Sequence, residues 1–497
     1  MKLAIAFVLV AAPAMGAPCE SLSTLTQPHV AVTLAQTVSA GAFTPPARGR
    51  GAEAFAKLPA FCRVAATLTP SSDSDIKIEV WLPAAGWSGK LQAVGNGAWA
   101  GNISYPAMAT ALAAGYATVS TDTGHVGGNA NFMVGHPEKL VDFEERAVHE
   151  MTVAAKAIAA AYYGNAPRRA YFNGCSTGGR QALTEAQRYP LDFDAIVAGA
   201  PANFAKRQTF GQIWLWQATH PGNPGNHDEA SLLTAEKYAV LHKAVVEQCD
   251  ALDGVKDDVL ENPTKCTFDP KVVQCKGAEG TDCLTPAQVE ASRKIYAGAS
   301  HAKTRESLYP GLQPGSENGW NMSVAARPVG YAEDFFKYIV FKDEKWDPKS
   351  LNYDADIVAT DKTATGLNAV DADLRKFTAR GGKLLIYHGW SDPGIPPSNS
   401  VNYYRSVLKA TPDATASVRL FMVPGMAHCG GGDGTSTFDM VAAADNWVET
   451  KTAPVTIPAS KMAEGKVVRT RPLCAFPAVA TYKGTGSTDE AANFVCR

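Results

Sequence analysis

The chain has 497 residues, with 46 Lys and Arg against 48 Asp and Glu and a formal net charge of −2. Neither sign forms a long run, which speaks against nucleic acid or a polybasic membrane surface as partner. Beyond the first residues no stretch approaches the roughly 20 apolar residues that span a bilayer, so no stable membrane association is expected, and the length allows two or three structural units.

Residues 1–17 hold Lys2, an apolar run from Leu3 to Ala12 and small residues at Ala14, Gly16 and Ala17, the pattern of a secretory signal peptide. The mature protein is therefore expected to be secreted or periplasmic. Ten cysteines is an even number, and export makes disulfides chemically accessible. Near neighbours suggest Cys19 with Cys62, Cys249 with Cys266, Cys275 with Cys283 and Cys474 with Cys496, leaving Cys175 and Cys429 for each other. Spacing alone does not dictate connectivity, and other pairings stay open here. A zinc site is disfavoured because no C-x-x-C pair exists.

In chain order, strands are expected at Ile76–Leu82, Leu91–Val94 and Ala117–Ser120, then an Ala-rich helix over Glu145–Tyr162. A strand Arg169–Asn173, a helix Arg180–Gln187 and a strand Ala195–Ala198 follow. This alternation predicts an α/β protein with a mostly parallel, helix-covered sheet. From 201 to 361 the rhythm stops, and aromatics, prolines and local cysteine loops take over. That segment reads as a lid domain inserted between two parts, 18–200 and 362–497, of one catalytic domain. The rhythm resumes with a helix Ala369–Arg380, a strand Lys383–Tyr387, a helix Asn399–Ala410, a strand Val418–Val423 and a helix Phe438–Thr450.

Chemistry enters at Gly174-Cys175-Ser176-Thr177-Gly178. The G-x-S-x-G frame, placed between a strand and a helix, fits a nucleophile elbow, although such frames also occur as ordinary tight turns. His428 precedes Cys429 as Cys175 precedes Ser176, and a disulfide holds its Cα atoms about 4.4–6.8 Å apart. Joining those two cysteines would bring a hydroxyl and an imidazole from opposite parts of the chain within reach of each other. A serine needs such a base, and the base needs an orienting acid. Asp392, in the loop after the strand Lys383–Tyr387, stands in the α/β-hydrolase order between serine and histidine, though Asp before Pro393 also suits a simple Asx turn. His388 is a rival base, but at the strand tip without a neighbouring cysteine it reads better as pocket wall or as a residue behind the reacting groups. Backbone N–H groups near Ala98, in Gly95-Asn96-Gly97-Ala98, and of Thr177 are candidates for an oxyanion hole, against the reading of an ordinary glycine turn.

Within the lid, Cys249 to Val259 carries Asp250, Asp253, Asp257 and Asp258. Hard oxygen donors at this density suit Ca2+, with side-chain oxygens from Asp250, Asp253 and Asp257 and carbonyls from Val255 and Val259, although acidic turns are often merely solvated. The lid aromatics Phe204, Trp214, Trp216, Trp320, Phe335 and Phe336 are candidates for holding a ring, with core packing as the alternative.

Taken together, the GCSTGGR, YHGWSD, VPGMAHCGGG and CDALDGVKDD segments resemble the tannase and feruloyl esterase family, which includes mono(2-hydroxyethyl) terephthalate hydrolases. The resemblance runs from about Cys19 to Cys496. It implies a lidded α/β-hydrolase fold rich in disulfides, with Ser176 as nucleophile, Asp392 as orienting acid, His428 as base and the Cys175–Cys429 bridge beside them. It also implies structural Ca2+ at Asp250, Asp253, Val255, Asp257 and Val259, and partners for all ten cysteines in the pairs above. Leu308–Glu317 resembles feruloyl-esterase-like members, whereas Gly319-Trp320-Asn321-Met322-Ser323 lacks the arginine run of the terephthalate-monoester hydrolases. The expectation is a secreted serine carboxylic-ester hydrolase acting on small esters of hydroxycinnamic or other phenolic acids. Galloyl esters, terephthalate monoesters and an inactive binding protein are the alternatives.

Overall fold

The computed structural model describes residues 17–46, 52–225 and 229–497. The signal segment read over 1–17 therefore lies outside the described residues, apart from Ala17. Nine strands form the main sheet: β1 (Val30–Val38), β2 (Phe61–Leu68), β3 (Ile76–Pro83), β4 (Lys90–Val94), β5 (Ala117–Thr121), β6 (Arg169–Cys175), β7 (Ala195–Gly199), β8 (Lys383–Gly389) and β9 (Val418–Val423). Their order is β1-β2-β3-β5-β4-β6-β7-β8-β9. Pairing is antiparallel from β1 through β3 to β5 and parallel from β5 to β9.

Both faces of the sheet are covered, as a parallel sheet requires. Leu384 and Ile386 of β8 pack with α2 (Ala147–Tyr163), α3 (Thr177–Arg188) and α7 (Ser398–Ala410) in one apolar core. Leu385 and Tyr387, pointing the other way, join α1 (Tyr105–Ala113) and α8 (Met440–Thr450) in a second. Period-two alternation along a strand with both faces buried explains why β8 reads as a continuous apolar run.

The helix expected over Ala369–Arg380 is confined to Arg375–Ala379. Asp371 and Asp373 accept the N–H groups of Asp373 and Arg375, and this local bonding competes with helix upstream. Strands β1 and β2 and the hairpin Thr456–Ala463 with Lys466–Cys474 were not anticipated: β1, at the sheet edge, and the hairpin are largely exposed and carry little apolar contrast, whereas β2 is an inner strand with Phe61, Val64, Ala66 and Leu68 buried. Among the described residues the segment 201–361 contributes no strand to the main sheet; its helices are α4 (Ala205–Thr219), α5 (Ala235–Cys249), α6 (Pro286–Ala297) and shorter turns. It has its own apolar clusters, one of which also takes Trp99, Met133 and Phe143 from the first part of the chain. No helix among the described residues is long and apolar enough to cross a membrane.

All ten cysteines are bridged: Cys19–Cys62, Cys175–Cys429, Cys249–Cys266, Cys275–Cys283 and Cys474–Cys496. The near-neighbour pairing is the one formed.

Candidate active site

Ser176 sits at the turn from β6 into α3 with φ 64° and ψ −122°, a conformation that L residues rarely adopt and that costs on the order of 1–3 kcal/mol. The glycines make the turn sterically feasible. A β-carbon at Gly174 would lie 2.5 Å from Gly178 O, and one at Gly179 would lie 2.3 Å from Gly199 O. The turn is held by Ser176 N–H bonding to Gly199 O and by Ser176 O accepting from the N–H groups of Arg180 and Ala202.

Asp392 follows β8 and is fully buried. Its Oδ1 accepts the N–H groups of Gly394 at 2.8 Å and Ile395 at 2.9 Å, so the Asx turn that Asp-Pro suggested does form. Its Oδ2 accepts from His428 Nδ1 at 2.7 Å. Turn-former and imidazole partner are thus one residue. Burial pulls this carboxyl upward, but the His428 charge and the bonds from His388 and His428 outweigh it and hold Asp392 well below the usual carboxylate range. For His428 burial acts downward, and the Asp392 charge and hydrogen bond overcome it to raise the imidazole above its ordinary value. An imidazole poised in this way can accept a proton and keep it.

The bridge from Cys175 to Cys429 spans 6.0 Å between Cα atoms, and Ser176 follows the one cysteine while His428 precedes the other. Among the described residues the Ser176 hydroxyl makes no hydrogen bond to His428. Such contacts commonly tighten only with substrate in place. The loop bearing His428 is also fastened to the loop bearing Asp392, through Ser391 N–H to Met426 O at 3.0 Å and Trp390 N–H to Val423 O at 2.9 Å. Ser176, Asp392 and His428 follow β6, β8 and β9, so all three stand at the carboxyl edge of the parallel strands, where open α/β sheets gather their functional groups.

The loop after β4 lies against the elbow. Gly178 N–H bonds to Asn96 O at 2.8 Å, Thr177 Oγ1 donates to Ala98 O at 3.0 Å, and Ala98 has φ 44°. Asn96 and Gln181 exchange two bonds, Asn96 N–H to Gln181 Oε1 at 3.0 Å and Gln181 Nε2 to Asn96 Oδ1 at 3.1 Å. Ala98 and Thr177 are thereby brought together by a polar lock that sequence reading missed. Its signal, an Asn and a Gln far apart in the chain, has no local signature.

Residues of the segment 201–361 reach the acid loop and the start of α7. Ser323 Oγ donates to Pro393 O at 2.5 Å, Gln313 Nε2 bonds to Ser398 Oγ at 3.3 Å, and Gly319 lies against the Pro393 ring. Fully buried Glu317 accepts from Tyr296 Oη at 2.7 Å and from His242 Nδ1 at 3.0 Å, which anchors this stretch to α5 and α6. Most of the lid aromatics proposed as ring holders are core: Trp216 stacks on His220, Trp320 packs on Tyr296, and Phe335 and Phe336 pack on each other. Phe204 and Trp214 are only partly buried.

The acidic loop folds on itself. Asp250 accepts the N–H groups of Asp257 and Asp258, Asp253 those of Val255 and Glu261, and Asp257 pairs with Arg471 at 2.5 Å and Arg469 at 3.3 Å. Among the described residues no three His, Cys, Asp or Glu side chains stand close enough to hold a metal as placed. Even so, Asp253, Val255, Asp257, Val259 and Glu261 line one cavity of about 10 Å³, room for about one water-sized sphere. Burial raises Asp253 and Asp257, and it pushes Glu261 up to about 7. Hard oxygens around a small cavity, in carboxyls that burial penalises when charged, fit a divalent cation chemically. Glu261, two residues beyond the segment read as acidic, and Arg469 and Arg471, which line the same cavity from the strand Lys466–Cys474, were not anticipated.

Sheet order, elbow and Asp–His pair together define an α/β-hydrolase. Residues 62–497 match the sequence profile of Tannase and feruloyl esterase. An uncharacterized esterase of Xanthomonas campestris pv. campestris is 39% identical, over 97% of this chain and 91% of that one. A probable feruloyl esterase B-1 of Aspergillus flavus is 34% identical, over 86% of this chain and 85% of its own. The crystal structure of feruloyl esterase B from Aspergillus oryzae matches with a TM-score of 0.87 at 31% identity, covering 96% of this chain and 99% of that one. The chain belongs to the tannase and feruloyl esterase family of carboxylic-ester hydrolases.

Proposed function

We propose that the protein is a feruloyl-esterase-like hydrolase that cleaves small esters of hydroxycinnamic and other phenolic acids, with Ser176 as nucleophile. The observation that carries this reading is the 2.7 Å bond from His428 Nδ1 to buried Asp392, beside a disulfide that joins the neighbours of Ser176 and His428. Ser176 Oγ attacks the ester carbonyl while His428 Nε2 takes its proton, and Asp392 stabilises the imidazolium. N–H groups of Ala98 and Thr177 receive the charge on the carbonyl oxygen. The imidazolium protonates the departing alcohol, and water deprotonated by His428 then releases the acid.

The aromatic preference rests on the relatives named feruloyl esterase and on the Leu308–Glu317 stretch, which is anchored beside the acid loop. Export fits the N-terminal pattern and five disulfides. Ca2+ at the loop Asp250, Asp253, Val255, Asp257 and Val259 belongs to the same reading, supplying positive charge to a carboxylate cluster that burial leaves under-neutralised.

The test is a substrate panel of methyl ferulate, methyl gallate and a terephthalate monoester, run with wild type and Ser176→Ala. Fastest turnover of ferulate is expected, along with a loss on the order of 10⁴-fold or more in the folded variant. Preference for either other ester would replace the substrate assignment, and an active Ser176→Ala enzyme would remove the nucleophile.

A further inference from the structure

His388, the last residue but one of β8, is wholly buried and uses both ring nitrogens. Nε2 lies 3.0 Å from Asp392 Oδ2 and 3.0 Å from Ile395 O, and Nδ1 lies 2.7 Å from Ser400 Oγ. Both neighbours of Nε2 are pure acceptors, a carboxylate and a carbonyl, so the ring proton belongs on Nε2, and Nδ1 is left to accept from the Ser400 hydroxyl. One side chain thereby ties the end of β8, the acid loop and the start of α7. Asp392 Oδ2 is consequently shared between two imidazoles, His428 at 2.7 Å in front and His388 at 3.0 Å behind.

We propose that His388 is a positioning residue for ester hydrolysis: its Nε2–H holds the Asp392 carboxylate in line with His428 and takes up part of the negative charge that the imidazolium would otherwise meet alone. The inference rests on Asp392 and His428 acting as orienting acid and base. Outer partners of this kind fix the orientation of a ligating or catalytic group, and their loss commonly costs 10–100-fold. Titratable groups bearing on Asp392 are His388, His428 and, from the lid, Tyr309, whose hydroxyl burial and the Asp392 charge push well above its ordinary value. Tyr309 therefore stays neutral where the enzyme works, and the rising limb of activity belongs to His428.

The experiment compares two polar replacements at one buried position. His388→Gln can place an amide donor near the Nε2 site, whereas His388→Asn reaches only toward the Nδ1 site and Ser400. Both are assayed per active site, titrated with a serine-reactive phosphonate, so that misfolded protein does not count. For His388→Asn, kcat is expected to fall on the order of tenfold or more with KM changed less than about twofold. The acid limb of its kcat/KM profile should move to higher pH, since a carboxylate with one donor fewer favours the His428 imidazolium more strongly. His388→Gln should recover most of the rate and return the limb toward wild type. Equal kcat and equal pH limbs in the two variants would overturn the proposal. A second readout needs no variant: in ¹⁵N-histidine-labelled wild type the His388 proton should reside on Nε2, and a proton on Nδ1 would equally defeat it. If wild-type Ser176 resists the phosphonate, the triad assignment itself fails; if it labels and the two variants behave alike, only the role of His388 does.

Discussion

Asp392 shows how one residue serves local and distant demands together. Oδ1 closes its own turn on Gly394 and Ile395, and Oδ2 faces His428 and His388. The turn preorganises the carboxylate, so little reorganisation remains for the reaction. Because Asp392 raises His428 above the ordinary value of 6.5, and because the base must be neutral to act, activity should be lost as pH falls through a midpoint above 6.5. A kcat/KM profile on methyl ferulate checks this. Asp392→Asn removes the charge that raises His428, so its limb should move to lower pH while kcat falls on the order of 10³–10⁴-fold. A limb that stays in place in this variant would show that the carboxylate does not govern the imidazole.

Among the elements, the elbow and the acidic loop differ in how they are stabilised. At the elbow, close backbone contacts between Gly174 and Gly178 leave no alternative packing, and the strain at Ser176 is held by β7 through Gly199 O. The acidic loop relies on the Cys249–Cys266 bridge, on backbone N–H groups, and on Arg469 and Arg471 arriving from the C-terminal hairpin. If Ca2+ completes that charge balance, chelation should lower the melting temperature by several degrees and added Ca2+ should restore it, as binding to the folded state alone requires. Scanning calorimetry with verified metal analysis checks it. An unchanged melting point after metal removal would leave the arginines as sufficient counter-charge. The stretch Gln313–Ser323 is bonded to the acid loop through Ser323 to Pro393 and to the start of α7 through Gln313 to Ser398.

Across the whole molecule, the Cys175–Cys429 bridge closes a loop of 254 residues that contains the whole segment 201–361. The chain-entropy model assigns such a loop about 5 kcal/mol of stabilisation. Replacing both cysteines by alanine should therefore lower the melting temperature and, by freeing the His428 loop from the elbow, lower kcat more than it raises KM. Thermal unfolding and kinetics per titrated site test the two effects separately. An unaltered melting point and kcat would mean that β6 and β9 alone keep the two loops in register.

Residue order by itself determined the features set by short-range sterics and period: the G-x-S-x-G turn, the apolar strands from Ile76 to Val423 and the Asx turn at Asp392. Those signals lie within a few residues of one another, so chain geometry leaves few alternatives. Tertiary structure alone decided that His388 shares Asp392 with His428, that Asn96 and Gln181 lock the two oxyanion candidates together, that Arg469 and Arg471 line the cavity of the acidic loop, and that most of the candidate aromatics of 201–361 are core. Each of these depends on groups from distant parts of the chain that meet only in the folded molecule, and pairwise contact across a folded interior leaves no periodic or compositional mark in the chain.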